Sequence, residues 1–317
     1  MTFSRGRFFF FHPYDAGMSK KHVSKASSAP DLQQQLDLRE GQSVGLLQAL
    51  HIVTREGRIN QDSRRKLKQV NHLLQFIEPL LDQVLTQKGD VTVVDHGAGK
   101  SYLGFMLYDL FFQAKAVGTV WGVETRAELV HASQALAQAL GFERMRFVAC
   151  SVQAALVSPE LPSQVDVVTA LHACNTATDD AIEFALAKGA QHVVLVPCCQ
   201  AEVASIWRTG KGLTLAKTPL AELWRHPLHT REFGSQITNV LRCLQLEAHG
   251  YQVTVTELVG WEHSMKNELI LAKKVGGFKR SAALRLETLL ASLRLEALRP
   301  KFVSWDTLLG APSEADA

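Results

Sequence analysis

Two acidic residues and two glycines, at the ends of neighbouring predicted strands, are the residues of this sequence best suited to binding a nucleoside. Asp95 ends a predicted buried strand, and Gly97 and Gly99 follow it ahead of an apolar helical pattern at 102–112. Glycines at such a turn let backbone N–H groups approach a ligand without a Cβ in the way. Glu124 ends the next predicted strand, where a carboxylate can accept hydrogen bonds from both hydroxyls of a ribose.

Three ligand classes use a strand, a glycine turn and a helix, and the positions of the glycines separate them. Gly99-Lys100-Ser101 resembles the end of a phosphate-binding P-loop, but that motif needs glycine at the position of Val94. A dinucleotide site needs a third glycine where Tyr102 stands. The remaining interpretation is the Asp-x-Gly-x-Gly turn of S-adenosylmethionine methyltransferases, which predicts S-adenosylmethionine as the cofactor. A purely structural turn is the competing explanation.

Further candidates follow the third, fourth and fifth predicted strands, at the same edge of the sheet. On this interpretation Asp95 orients the methionine end of the cofactor, and Ser151 contacts the adenine amino group. His172 and Asn175 lie beside the transferred methyl group. The imidazole is a candidate general base, and the amide can hydrogen-bond an amine or hydroxyl acceptor. Cys198 is one of two adjacent cysteines after the fifth strand, and one of these two thiols is expected to line the site.

Each of these residues also has a purely structural explanation. Asp95 could cap a turn, Ser151 could belong to a plain loop, and His172 could pack under the sheet. Asn175 could merely turn the chain. No base lies near enough in the sequence to Cys198 to indicate covalent catalysis.

Strand and helix patterns alternate from residue 91 onward, which predicts an α/β fold. Five βα units and a terminal strand pair make a doubly wound seven-stranded sheet of the class I methyltransferase-like (Rossmann-like) type, with an N-terminal helical extension. The predicted strands are 91–95, 119–124, 145–149, 165–171, 192–196, 253–256 and 267–272. The predicted regions are a disordered basic leader (1–35), a helical extension (36–88), a methyltransferase domain (89–275) and an amphipathic helix with a tail (276–317).

The extension ends in an amphipathic helix predicted at 63–85, which Asp62 could cap. Its first turns carry the basic residues Arg64, Arg65, Lys66 and Lys68, which we call the basic rim. The rim is either a solvated helix face or a surface that contacts phosphates, together with Arg225 and Arg231.

Composition excludes several other classes of protein. The chain has 317 residues, 46% of them hydrophobic, and a net charge of +3, so a large core is possible and any basic surface must be local. Five cysteines without a C-x-x-C pair indicate neither a zinc site nor a disulfide framework, and no metal is expected. No stretch approaches the roughly 20 apolar residues of a membrane span. A reduced, cytoplasmic setting is the expectation.

Three segments together resemble one family of methyltransferases. They are Asp-His-Gly-Ala-Gly-Lys-Ser-Tyr-Leu from Asp95, Leu-His-Ala-Cys-Asn-Thr-Ala-Thr-Asp from Leu171, and Val-Pro-Cys-Cys-Gln from Val196. This series is similar to the methyltransferase domain shared by the glutathione-S-transferase-C-terminal-domain-containing protein and methyltransferase-like protein 25. A related tRNA 2′-O-methyltransferase has a similar series. Asn175 replaces a glycine of the family pattern, and the zinc modules of the tRNA enzyme are missing.

The resemblance covers roughly residues 62–273 and implies S-adenosylmethionine binding with an RNA acceptor. The expected function is therefore methyl transfer to a nucleophile on RNA, either tRNA or rRNA. The alternatives are a small-molecule or protein methyltransferase, or a catalytically silent protein that keeps the fold and binds RNA or another partner.

Overall fold

A computed structural model of the chain describes residues 36, 38–171, 173, 175–198, 200–209, 222, 223, 225–258 and 267–303. The predicted leader (1–35) and most of the predicted tail lie outside these residues, as does His172. None of the described helices is long and apolar enough to cross a membrane.

The described strands form one sheet in the order β3-β2-β1-β4-β5-β7-β6. They are β1 Thr92–His96, β2 Thr119–Glu124, β3 Met145–Ala149, β4 Val167–Leu171, β5 His192–Val196, β6 Tyr251–Glu257 and β7 Glu268–Lys274. Strands β1 to β5 pair in parallel, and β7 is antiparallel to both β5 and β6. The predicted class I methyltransferase-like, seven-stranded sheet is thus confirmed, with the strand order reversing direction between β1 and β4.

All seven predicted strands lie within about two residues of their expected bounds. Helices cover the sheet that these strands form. The described α-helices are α1 Val44–Ala49, α2 Gln61–Lys88, α3 Tyr102–Leu107, α4 Gln113–Lys115, α5 Ala127–Ala139, α6 Val152–Val157, α7 Ala177–Ala187, α8 Glu202–Arg208, α9 Pro227–Ala248, α10 Arg280–Ser292 and α11 Arg299–Phe302. A π-helical turn, Tyr108–Phe112, joins α3 to α4, so the helix predicted at 102–112 changes its winding halfway.

The helical extension differs from the prediction in its first part. The extension was expected to be helical from residue 36, but the longest described helix before α2 is α1, with six residues. Gly41 (φ +80°) and His51 (φ +57°) lie on either side of α1 in the left-handed region, which a right-handed helix cannot contain. The prediction that Asp62 caps the next helix was also wrong. Asn60 is the cap, because its Oδ1 accepts a hydrogen bond of 2.8 Å from the backbone N–H of Ser63.

Contacts at the amino end of the sheet fix the first and fourth strands against α2. Asp166, just before β4, accepts a hydrogen bond of 2.9 Å from the backbone N–H of Thr92 and forms an ion pair with Lys88. Val93 and Val94 of β1 are fully buried, each contributing about 1.5–3 kcal/mol by burial. The opposite, carboxyl end of these strands carries the candidate residues.

Candidate functional site

The glycine turn after β1 is braced by the strand beside it. Gly97 and Gly99 have φ values of +68° and +58°, a conformation that favours glycine. The N–H groups of Gly97 and Ala98 donate to the carbonyl oxygen of Val123 at 2.9 and 3.0 Å, and the N–H of Gly99 donates to Glu124 Oε2 at 2.8 Å. These N–H groups therefore hold the turn, whereas the sequence had suggested that they approach the ligand.

Glu124 is a buried, ionised acceptor at the end of β2. Arg126 donates to its carboxylate from the backbone N–H at 3.1 Å, from Nε at 2.9 Å and from Nη2 at 3.2 Å. Burial alone would raise the pKa of Glu124, but the hydrogen bonds from Arg126 and Gly99 outweigh it and lower the pKa to about 2. The Arg126 side chain is 59% exposed against 8% for Glu124, so the guanidinium can move aside while the carboxylate stays.

Asp95 is a second buried carboxyl group, on the other side of the turn. It is 3% exposed and accepts a hydrogen bond of 2.9 Å from Thr169 Oγ1. Burial raises the pKa of Asp95 to about 7, and the hydrogen bond from Thr169 only partly opposes this shift. A cation placed against this carboxyl group would favour its ionised form.

Two cavities meet at the glycine turn, and both are lined by Gly97 and Arg126. The Glu124 cavity, of about 330 Å³, also has Glu124, Val123, Cys150, Ala173, Ala177 and Asp180 in its wall. The Asp95 cavity, of about 240 Å³, also has Lys66, Asp95, Lys100, Tyr102 and Leu171 in its wall. The first combines apolar surface with carboxylates, and the second brings one carboxyl group together with three cationic side chains.

This division matches the two halves of S-adenosylmethionine. The adenosyl half has an apolar ring and two hydroxyl donors, which suit the Glu124 cavity. The amino-acid half is a zwitterion, which suits a cavity holding both Asp95 and cationic side chains. A larger groove of about 1000 Å³ lies between the end of α5 and the edge strand β3. It contains none of the candidate residues and lies away from the carboxyl ends of β1 and β4, so we place the site at the two smaller cavities.

The predicted acceptor-side residues lie on two loops that contact each other. Asn175, after β4, has a φ of +55°, and its Oδ1 accepts a hydrogen bond of 3.4 Å from the backbone N–H of Ala201, after β5. Its side chain thus helps to join the loops and leaves the amide NH₂ for a ligand. Cys198 is half-buried on the second loop and does not line either cavity. His172 lies outside the described residues, and the roles of all three stay predictions.

Ser151, the predicted adenine contact, lies beside the site. Its Oγ caps α6 by accepting a hydrogen bond of 3.3 Å from the backbone N–H of Ala154, and the residue is exposed. The neighbouring Cys150 lines the Glu124 cavity instead, and burial raises the pKa of its thiol. The contact of Ser151 with the adenine stays a prediction.

A buried arginine that the sequence did not single out ties the two acceptor loops together. Arg242, on α9, is fully buried and donates from Nη2 to the backbone oxygen of Asn175 at 2.9 Å. Its Nε donates to Asp179 at 2.6 Å and its Nη1 to Asn239 Oδ1 at 3.0 Å. The same Asn239 oxygen accepts from Gln200 Nε2 at 2.9 Å, so Arg242 is linked to the second loop through Asn239.

Sequence reasoning also missed Lys66 and Tyr102 as parts of the site. The Lys66 ammonium lies 4.4 Å from the centroid of the Tyr102 ring, and both residues line the Asp95 cavity. The available signal was the spacing of Lys66 and Val70, which lie one turn apart on α2 and face the same cavity. Among the described residues, no group of three or more His, Cys, Asp or Glu side chains is placed to hold a metal ion.

Comparison with known proteins agrees with this assignment. Residues 65–206 match the model of a family described as a methyltransferase domain. The matched segment contains the glycine turn, Glu124 and both acceptor loops. The match to this family confirms the predicted cofactor, S-adenosylmethionine, for a domain of this fold. The closer resemblance to the domain of methyltransferase-like protein 25 stays a prediction. A comparison with curated protein sequences gave no match.

Several solved structures, among them two methyltransferases, are similar to this chain. Magnesium protoporphyrin IX methyltransferase from Synechocystis PCC 6803, with bound S-adenosylhomocysteine, has a TM-score of 0.41 and 16% identity over 74% of this chain and 96% of that one. An rRNA methylase from Streptococcus thermophilus has a TM-score of 0.34 and 8% identity over 59% and 88%. Fibrillarin from Aeropyrum pernix has a TM-score of 0.34 and 12% identity over 58% and 66%.

Proposed function

We propose that this protein is an S-adenosylmethionine-dependent methyltransferase that methylates a nucleophile on RNA. The observation that carries the first half of this proposal is the pair of cavities on either side of the glycine turn. One offers a buried carboxylate to a ribose, and the other offers Asp95 and cationic side chains to an amino acid. Few small molecules other than an adenosyl amino acid would need both cavities at once.

The side chains of this site bind and orient, and none of the described residues is needed as a covalent nucleophile. When bound, S-adenosylmethionine supplies an electrophilic methyl group on its sulfonium. Glu124 and Asp95 fix the two ends of the cofactor site, and Arg242 holds the loops on the acceptor side. Holding the acceptor in line at contact distance is the main source of rate in such a transfer. A general base, for which His172 is the sequence candidate, is required only for a hydroxyl acceptor.

The basic rim supports RNA as the acceptor class. Arg64, Arg65, Lys66 and Lys68 are all exposed at the start of α2. Because Lys66 also lines the Asp95 cavity, this helix start lies beside the site, where an acceptor strand would pass. Arg225 and Arg231 support the interpretation less, since each pairs with a glutamate, at 3.1 Å (Glu222) and 2.9 Å (Glu232).

The proposal is tested by methyl transfer from labelled S-adenosylmethionine into total RNA, total protein and small metabolites. We expect label in RNA from the wild-type protein and clearly less from Glu124→Ala at limiting cofactor. Label in protein or in metabolites would replace RNA as the acceptor class. Binding of S-adenosylhomocysteine without transfer to any of the three pools would instead indicate the catalytically silent alternative.

The salt dependence of RNA binding tests the rim separately. Each phosphate contact releases counterions, so the slope of log K against log salt falls by about 0.7 for every single-strand contact removed. Replacing Arg64 and Arg65 by Gln should therefore reduce the slope and leave S-adenosylhomocysteine affinity unchanged. RNA affinity that does not change between low and physiological salt would contradict the RNA proposal.

A further inference from the structure

We propose that Lys66, on the N-terminal helical extension, binds the carboxylate of the cofactor's amino-acid end. This inference rests on the proposed function and extends it, because it makes α2 part of the cofactor site. A cofactor residue supplied from outside the sheet would couple the extension to cofactor binding.

The charge distribution of the Asp95 cavity is the first observation behind this assignment. Its charged side chains are Asp95, Lys66, Lys100 and Arg126. Asp95 is the only one that can accept from the ammonium group of an amino acid. The carboxylate of the same amino acid then needs one of the three cations.

The contacts of these cations separate Lys66 from the other two. Arg126 already donates to Glu124 through Nε and Nη2, at 2.9 and 3.2 Å. Lys100 belongs to the glycine turn and is exposed, as Lys66 is, but no hydrogen bond, ion pair or ring contact with another described residue orients its side chain. Lys66 instead lies over the Tyr102 ring at 4.4 Å, which places its ammonium at the first residue of α3. An ammonium above an aromatic face keeps donors directed away from the ring, so it can bind an anion without losing that contact.

The backbone that carries Lys66 is rigid, which suits a binding residue. Helix α2 runs for 28 residues and is fixed at both ends by Asn60 and Gly89. Val70, one turn after Lys66, is 1% exposed and lines the same cavity. A cation presented from a packed helix loses less freedom on binding than one from a surface loop.

Two ligands that differ only in the amino-acid end provide the test. S-adenosylhomocysteine carries that end, and 5′-methylthioadenosine lacks it. By calorimetric titration, Lys66→Gln should weaken S-adenosylhomocysteine about five- to thirtyfold, the usual loss for one charged hydrogen-bond partner, and leave 5′-methylthioadenosine unchanged. The matched control is Arg65→Gln, which removes the same charge one residue earlier, at a side chain that does not line the cavity. It should change neither affinity.

The other outcomes are informative in different ways. Equal weakening of both ligands, or of neither, in a Lys66→Gln protein with unchanged thermal stability would overturn the assignment. Unchanged affinity for S-adenosylhomocysteine together with a reduced salt slope for RNA would place Lys66 in the RNA surface instead. A wild-type protein that fails to bind S-adenosylhomocysteine at all would refute the proposed function itself. The Lys66→Gln and Arg65→Gln variants test only the role of Lys66.

Discussion

At the scale of single residues, the site is organised by two carboxyl groups in opposite electrostatic environments. Glu124 has a pKa lowered to about 2, because hydrogen bonds from Arg126 and Gly99 outweigh its burial. Asp95 has a pKa raised to about 7 by burial. One is a permanent anion that accepts hydrogen bonds from neutral hydroxyls, and the other becomes an anion when a cation approaches.

Substitutions of Glu124 and of Arg126 should change the cofactor affinity differently. Glu124→Ala should weaken S-adenosylhomocysteine by about 1–3 kcal/mol, since ribose hydroxyls lose a charged acceptor. Arg126→Ala should leave the affinity unchanged or raise it, because the guanidinium competes with those hydroxyls for the same oxygens. Calorimetry on both variants checks this. A loss in Arg126→Ala as large as that in Glu124→Ala would mean that the arginine itself holds the cofactor.

Cofactor affinity should rise with pH through the titration of Asp95. In the free protein this carboxyl group is protonated below about pH 7, and the cofactor's ammonium favours the ionised form. Binding at pH 6 should therefore release a proton, and S-adenosylhomocysteine should bind more tightly at pH 7.5 than at pH 5.5. Titrations in buffers of different ionisation enthalpy measure the proton. Asp95→Asn should abolish both effects, and their persistence in that variant would assign them to another group.

At the scale of elements, α9 controls the geometry of the acceptor side. Arg242 donates from three nitrogens to Asp179, Asn239 and the backbone of Asn175. A lysine ammonium cannot reproduce this planar fork, so Arg242→Lys should release the two loops from each other. Single-turnover methyl transfer should then fall about tenfold or more, as expected when reacting groups lose alignment, with unchanged S-adenosylhomocysteine affinity.

A matched variant separates positioning from general stability. Asp166→Asn weakens another polar contact of the sheet, at the amino end and away from the site, where Asp166 binds Thr92 and Lys88. It should lower the melting temperature and leave transfer intact. If Asp166→Asn and Arg242→Lys lose activity in proportion to their loss of stability, Arg242 is structural only.

The elements could largely be predicted from local pattern, but the contacts between them could not. Strands β2, β3 and β5 have their predicted bounds, because runs of β-branched and aromatic residues between turn signals fix a strand locally. Strand β4 begins two residues later than predicted, because Asp166 turns its side chain to the start of β1. Arg242 lies 67 residues from Asn175, and no periodicity links them. Lys66 likewise lies far from Tyr102 in the sequence, so no local pattern shows their contact.

At the scale of the whole molecule, the position of the site in the sheet could be predicted from the sequence. The contacts of the side chains around it could not. The strand order places the ends of β1 and β4 side by side, which brings together Asp95 and the β4 loop as expected. The predicted contact of Ser151 with the adenine rests on its place after β3, and the sequence did not show that the same side chain also caps α6. Capping depends on where a helix starts, and sequence patterns locate helix ends least well.

A buried histidine at the other end of the sheet should make the fold sensitive to acid. His192, at the start of β5, is 1% exposed, and neither ring nitrogen has a hydrogen-bond partner among the described residues. Burial, assisted by the charge of Lys273, lowers the pKa of His192 from about 6.5 to about 4. The folded protein thus keeps the ring neutral while the unfolded chain takes up a proton. The stability it contributes is complete above about pH 6.5 and is lost as the pH falls towards 4.

Urea unfolding of the cofactor-free protein between pH 4.5 and 7.5 measures this effect. The free energy of unfolding of the wild type, relative to His192→Leu, should fall with acidification by at most about 1.4 kcal/mol per pH unit, the value for one proton. His131→Leu on α5 is the control, because that ring is exposed and the variant should keep the wild-type dependence on pH. Asp95 acts in the opposite sense, since its raised pKa costs stability as the pH rises towards 7. The wild type and His192→Leu both keep Asp95, so the difference between them does not contain its contribution. Equal pH slopes for these two proteins would contradict a buried neutral ring.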